Sequence, residues 1–232
     1  MITTKNNVNG SIVWKEDYNT RWLDALGENV IKYISGPGLM LDGDPWTKTS
    51  TGTNTITGAV AAGGWKTITT GVTEYNGDNL QLENNAFKLE SGKPVYFGIK
   101  FASQHATKGD FLFGLCETDT TLMATSSAHA ASVTDDGVYF YHLNDATTVY
   151  FANELGGVVG TTATGETHDT DAHVYEIYYD GTLLHAYFDD VLLTSISSGI
   201  ADQVLTPSLN VRAGDDGAEV YTIYWIRAIQ CR

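Results

Sequence analysis

Glu117 and Asp119 stand two residues apart at the end of an apolar run, and residues i and i+2 of a strand share a face. Paired carboxylates are what glycoside hydrolysis uses, one as acid and the other as base or nucleophile. The glycosidase pattern Glu-x-Asp-x-x-Glu would put a third acid at position 122, where this chain has Leu122. The pair therefore reads as a polar strand end entering a Thr-rich turn. The run His168-Asp169-Thr170-Asp171-Ala172-His173 holds two imidazoles and two carboxylates, the composition of a metal site. Neighbouring loop residues converge on one ion only where the chain folds tightly. No glycine interrupts this run, and mixed His and Asp ligation fits no standard calcium loop, so it reads as a solvated turn leading into a strand at Val174.

Other chemistry finds less support. Asp135-Asp136-Gly137 and Gly214-Asp215-Asp216-Gly217 are turn sequences, because Asp and Gly tolerate the left-handed conformation. No Gly-x-Ser-x-Gly presents a nucleophile, and the glycines form neither a phosphate loop nor a dinucleotide fingerprint. His129, His142 and His185 stand singly and read as packing or surface residues. The 13 Tyr and 5 Trp could hold a sugar, yet aromatics at alternating strand positions are core by default. The residues themselves assign no catalytic group, metal or cofactor, and the chain is expected not to be an enzyme.

The elements that must position these groups are strands. From Leu39 onward, short β-branched and aromatic runs alternate with Gly, Asn, Asp, Ser and Thr turns. Strands are expected at 46–51, 55–59, 65–70, 79–83, 87–89, 95–102, 111–117, 137–143, 148–154, 174–179, 183–188, 191–196, 205–212 and 219–229. Asp180-Gly181 suits a two-residue type I′ turn between Val174–Tyr179 and Leu183–Phe188, and Asp189-Asp190 returns the chain into Val191–Ile196. In the run 219–229, Val220, Tyr224 and Ile226 fall on one face and Tyr221, Ile223, Trp225 and Ile229 on the other, so both faces must be covered. The second face meets either the N-terminal segment or another copy.

Residues 1–37 read differently. Trp14 and Trp22 are apolar anchors, and Leu23, Leu26, Val30, Ile31 and Ile34 recur at helical spacing before Gly36-Pro37-Gly38. This predicts an arm with a short helix ahead of one domain over 38–232; the arm either packs back on its own domain or reaches a neighbouring subunit, and the apolar anchors favour the second. Trp14, Trp22, Leu23, Leu26, Tyr221, Ile223 and Trp225 are the interface candidates. A formal charge of -15, from 28 acidic and 13 basic residues, opposes nucleic-acid binding. Cys116 and Cys231 read as free buried thiols. No signal peptide or run of about 18 apolar residues is seen, so no membrane partner is expected.

The order of segments resembles a known family. Asp42-Gly43-Asp44-Pro45-Trp46, Gly63-Gly64-Trp65 through Gly71, Asn79-Leu80-Gln81-Leu82, Phe87 and Val95 to Phe101 are similar to the opening of a family of tailed-phage virion proteins. Gly109 to Leu122 and Asp136 to Phe140 match the next segment. Asp180-Gly181 and Tyr187-Phe188-Asp189-Asp190 complete a likeness to laminin G and concanavalin A-like folds. The resemblance spans Leu39 to Arg232. It implies an all-β, two-layer antiparallel jelly-roll sandwich that decorates or cements a phage head, made in the host cytoplasm. The implied partners are the major capsid protein and copies of itself as a dimer or trimer. The alternative is a glycan- or receptor-binding module on a head fibre or tail.

Overall fold

A computed structural model describes residues 3–8, 11–16, 22–26, 30–35, 45–58, 65–83, 86–126, 129–131, 133–215 and 217–231; before residue 30 the only side chain it describes is that of Ala25. Every regular element among the described residues is a strand. In chain order these are β1 Thr3–Val8, β2 Ser11–Glu16, β3 Trp22–Leu26, β4 Val30–Ser35, β5 Trp46–Thr51, β6 Thr55–Gly58, β7 Lys66–Thr69, β8 Gly77–Leu82, β9 Phe87–Lys88 and β10 Val95–Ser103. There follow β11 Asp110–Cys116, β12 Gly137–His142, β13 Thr148–Leu155, β14 Val158–Thr167, β15 His173–Tyr179, β16 Leu184–Phe188, β17 Val191–Ile196, β18 Val204–Arg212 and β19 Val220–Cys231.

Two eight-stranded antiparallel sheets form the sandwich. The first runs β17-β16-β15-β10-β19-β7-β6, with β4 also on β19; the second runs β14-β13-β12-β11-β18-β8-β5, with β9 also on β18. Alternation explains the layers. Phe97, Ile99 and Phe101 of β10, with Tyr175 and Ile177 of β15, point into the space also filled by Phe111, Phe113 and Leu115 of β11, Val138 and Phe140 of β12, and Leu209 and Val211 of β18. Phe101 and Phe113 lie 5.1 Å apart and Phe113 meets Tyr175 at 4.8 Å, so aromatic contacts bridge the sheets. Burying each such ring contributes about 1.5–3 kcal/mol.

The predicted N-terminal helix is corrected: residues 22–26 and 30–35 are strands. Val30, Ile31, Tyr33 and Ile34 are β-branched or aromatic, and these favour a pleated surface. Ile31 and Tyr33 pack on the sandwich core while Lys32 is exposed, a period of two rather than 3.6. Strand β4 pairs with Ile226–Cys231 of β19, continuing the edge that β7 begins at Val220–Ile223. Ala25 of β3 lies buried with Tyr96, Tyr178, Tyr187, Ile229 and Cys231, so the segment covers the outer face of the first sheet at that point.

Strand β19 carries a bulge. Lys100 pairs with Trp225 but Phe101 with Ile223, leaving Tyr224 unopposed. The extra residue shifts the alternation, so Tyr221, Ile223, Ile226 and Ala228 all line the core. Tyr224 lies under the Lys100 ammonium at 5.4 Å, and Trp225 abuts Gly98 and lies 4.6 Å beneath the Arg227 guanidinium. The connection at Asp180-Gly181 also differs from expectation. Tyr179 pairs with Leu184, making it four residues long, and Asp180 Oδ1 accepts the Thr182 and Leu183 amides. The two-residue turn is Asp189-Asp190, both with positive φ, between the paired Phe188 and Val191.

Candidate functional site

The outward face of the second sheet is polar at its centre. Asn79 and Gln81 of β8, Thr206, Ser208, Asn210 and Arg212 of β18 alternate with core residues and are nevertheless buried. Across this face, between β11 and β12, runs the segment 117–136, of which residues 117–126, 129–131 and 133–136 are described. Buried amides must be satisfied, and here they hold that segment down. Gln81 Nε2 donates to the Glu117 carbonyl at 2.9 Å and Gln81 Oε1 accepts the Asp119 amide at 2.8 Å. Asn79 Nδ2 donates to the Asp119 carbonyl at 2.8 Å, and Arg212 Nη1 to the Ala124 carbonyl at 2.6 Å. Leu122 and Met123 add an apolar anchor, buried on Leu112, Cys116, Tyr139 and Ala152. The Asp136 carboxylate closes the segment by accepting the amides of Gly156, Asp202 and Gln203.

The segment splits the face into two clefts. On the β5 side, Thr47, Thr49, Asn79, Gln81, Glu83, Thr118, Asp119 and Thr120 line a polar groove of about 310 Å³. On the other side, a pocket of about 200 Å³ is lined by Ala130, Ala131, Val133, Tyr139, Tyr141, Leu143, Glu154 and Val159. Tyr141 is half-buried there and stacks on Tyr150 of β13, ring centroids 5.1 Å apart and nearly parallel. At the pocket's base the Tyr139 hydroxyl donates to Glu154 Oε2 at 2.9 Å. Burial pushes the Glu154 carboxyl up from the ordinary carboxylate range, with Asp136 and Asp135 adding to the effect, while the Tyr139 hydrogen bond opposes it. A carboxyl shifted this way beside aromatic walls can donate a proton or a hydrogen bond. Among the described lining residues of this pocket, Glu154 is the one carboxylate.

The residues singled out from sequence fall in several places. Glu117 and Asp119 lie just past β11: Glu117 Oε2 accepts the Asp136 amide and Asp119 Oδ1 accepts the Thr121 amide, so both carboxylates shape the segment. Leu122 is the buried anchor beside them. The run 168–173 does not converge. His168 is buried on Ser103, whereas His173 is held outside, between Asp189 and Asp169. His129 bridges Asp110 and Asp215, a role its isolation in sequence concealed. Cys116 and Cys231 are buried and free.

Of the interface candidates, Tyr221 and Ile223 sit in the core, 0% and 4% exposed, where packing between the sheets accounts for them. The bulge at Tyr224 turns Trp225 to the outer face, half-buried. Trp14, Trp22, Leu23 and Leu26 lie in β2 and β3 by backbone, and their side chains are outside the described set. Tyr141, Tyr150 and Glu154 were not singled out, because alternation alone does not say which aromatic of Val138-Tyr139-Phe140-Tyr141 faces away from the core.

No family model and no curated protein matches the sequence. Solved structures do. The carbohydrate recognition domain of Emp47p superimposes with a TM-score of 0.58 at 13% identity, covering 86% of this chain and 96% of its own. A β-glucanase of Bacillus licheniformis gives 0.58 at 12%, covering 85% and 97%, and an endo-1,3-β-glucanase of Streptomyces sioyaensis gives 0.60 at 9%, covering 90% and 99%. These neighbours lend the virion reading no support. They also correct the expectation that the chain is not an enzyme: glucanases are built on this same sandwich, so Leu122 excludes one acid arrangement and not catalysis. At such identities the likeness concerns architecture alone, and the architecture is the concanavalin A-like jelly roll shared by carbohydrate-recognition domains and glucanases.

Proposed function

We propose that this protein binds carbohydrate on the outward face of its second sheet, in the pocket between segment 117–136 and strands β12–β14. The observation that carries the reading is the partly exposed Tyr141–Tyr150 stack beside a pocket floored by Glu154 and the Tyr139 hydroxyl. An aromatic face takes up the C–H side of a sugar ring, and a carboxyl at the base takes its hydroxyls. At about 200 Å³ the pocket is smaller than the ~300–1,000 Å³ of drug-sized sites, so it accepts one ring or chain end. The polar groove on the β5 side, with its Thr hydroxyls and Glu83, lies on the same face and extends the surface a longer glycan could follow.

The test is a glycan array followed by titration calorimetry with each hit, using the wild type and Tyr150→Ala. Saturable binding that the variant loses supports the reading; a chain that binds no glycan discards it. The sequence resemblance to tailed-phage virion proteins supports carriage of this module on a phage particle, as a fibre or tail component or as a head decoration bound to the capsid. Quantitative mass spectrometry of purified particles separates these. Hundreds of copies indicate decoration, a handful a fibre or tail, and none removes the particle from the account.

A further inference from the structure

We propose that Glu74, His129 and Asp215 form a binding site for one divalent transition-metal ion, of the zinc class, at the end of the second sheet. Three connections meet there: Glu74 lies between β7 and β8, His129 within segment 117–136, and Asp215 between β18 and β19. One donor atom from each of the three falls within 4.8 Å of the others. His129 Nε2 lies 3.0 Å from Asp215 Oδ1 and 3.4 Å from Glu74 Oε1. Ligands about 2.0–2.1 Å from a tetrahedral ion are about 3.3–3.4 Å from one another, close to the two spacings at His129 Nε2.

The imidazole is already oriented for the task. Asp110, only 1% exposed, faces His129 Nδ1 at 2.8 Å and is itself fixed by the Asn144 amide at 2.8 Å. A carboxylate accepting Nδ1–H leaves the Nε2 lone pair as the donor, and that atom points at the two acids. Metal-binding histidines are held in this way by a second carboxylate. Tyr75 packs against the ring, centroids 4.9 Å apart and planes tilted by 33°, restricting its rotation. The His173 group makes a useful contrast. Its Nδ1 meets Asp189 and its Nε2 meets Asp169, so the carboxylates lie on opposite sides of the ring and do not share an ion. One imidazole and two carboxylates suit zinc or a neighbouring first-row ion and leave a position open to water. Arg212, near Asp110, is the opposing charge.

The consequence is mechanical as well as chemical. An ion here would tie segment 117–136 to the loops on either side and brace the wall of the pocket. The experiment is calorimetric titration of ZnCl₂ into the full chain at neutral pH, with folding of each variant checked by circular dichroism. The proposal expects one zinc per chain, weakened at least about tenfold by Glu74→Gln and by Asp215→Asn and unchanged by His173→Gln. Both acids are well exposed, so their replacement leaves the fold intact. Absence of zinc binding by the folded wild type overturns it, as does equal affinity in the wild type, Glu74→Gln and Asp215→Asn.

Discussion

Replacing His168 should flatten the acid side of this protein's stability profile. Ser103 Oγ lies 2.5 Å from His168 Nε2 and 2.6 Å from the His105 carbonyl. A hydroxyl has one proton. It goes to the carbonyl, so Ser103 must accept from Nε2–H, and the neutral ring carries its bare lone pair on Nδ1. That nitrogen has no hydrogen-bond partner among the described residues, so a proton added there would be buried unpaired. Burial, with the His142 ring 4.7 Å away adding to it, pushes His168 down to about 3 from its ordinary 6.5. The sign follows: the folded state resists the proton that the unfolded chain takes up. The contribution is therefore complete above pH 6.5 and lost as the pH falls from there toward 3. Between pH 7.5 and 4.5 the loss comes to roughly 2–3 kcal/mol at 1.36 kcal/mol per pH unit. Urea denaturation of the wild type and His168→Gln at both pH values tests this. The variant should be less stable at pH 7.5, with the gap closing by about that amount at pH 4.5. Parallel losses in the two proteins would refute the tautomer argument.

Three further outcomes are expected. Tyr141→Ala should weaken glycan binding by about tenfold, near 1.4 kcal/mol, with the melting temperature little changed, read by calorimetry on the same preparation. Leu122→Ala removes the buried anchor of segment 117–136 and should cost about 2–5 kcal/mol in denaturant melts, with faster proteolysis within that segment. Gly114→Ala drives a methyl into the Val138 carbonyl and the Tyr139 backbone, which cannot move aside, and should cost at least about 1–3 kcal/mol by the same assay.

Much of the sandwich was legible because its strands advertise themselves. Val95–Phe101 and Val174–Tyr179 alternate core-facing apolar residues with others, Phe111–Leu115 is apolar on both faces behind Gly109-Asp110, and each lies where the pattern put it. Strand β14 was missed because Val158–Thr167 is Gly- and Thr-rich and almost wholly exposed; an edge strand in that position has no core face to advertise. The N-terminal helix failed for the opposite reason. Two short strands, 22–26 and 30–35, reproduced a spacing of three and four residues by coincidence, while the β-branched residues at 30, 31 and 34 spoke for a strand. Side-chain facing in β19 could not be read past Tyr224, since one unopposed residue exchanges the faces that follow. The clefts were hidden for a more general reason. They depend on segment 117–136 lying over β8, β11, β12 and β18, and contacts between residues so distant in sequence leave no periodic trace.

The position of β19 bears on how the chain is made. Its Val220–Cys231 stretch is the shared neighbour of β10 on one side and of β7 and β4 on the other. All three are synthesised well before it. As the polypeptide emerges, β10 can find β15, but β4 and the core-facing side of β7 must wait with apolar residues uncovered. Closure of the first sheet is thus a late event joining segments nearly two hundred residues apart, which places this protein among slow-folding, high-contact-order architectures. Expression at reduced temperature, or release of a truncated nascent chain before residue 220, should distinguish a half-built sheet that aggregates from one that waits.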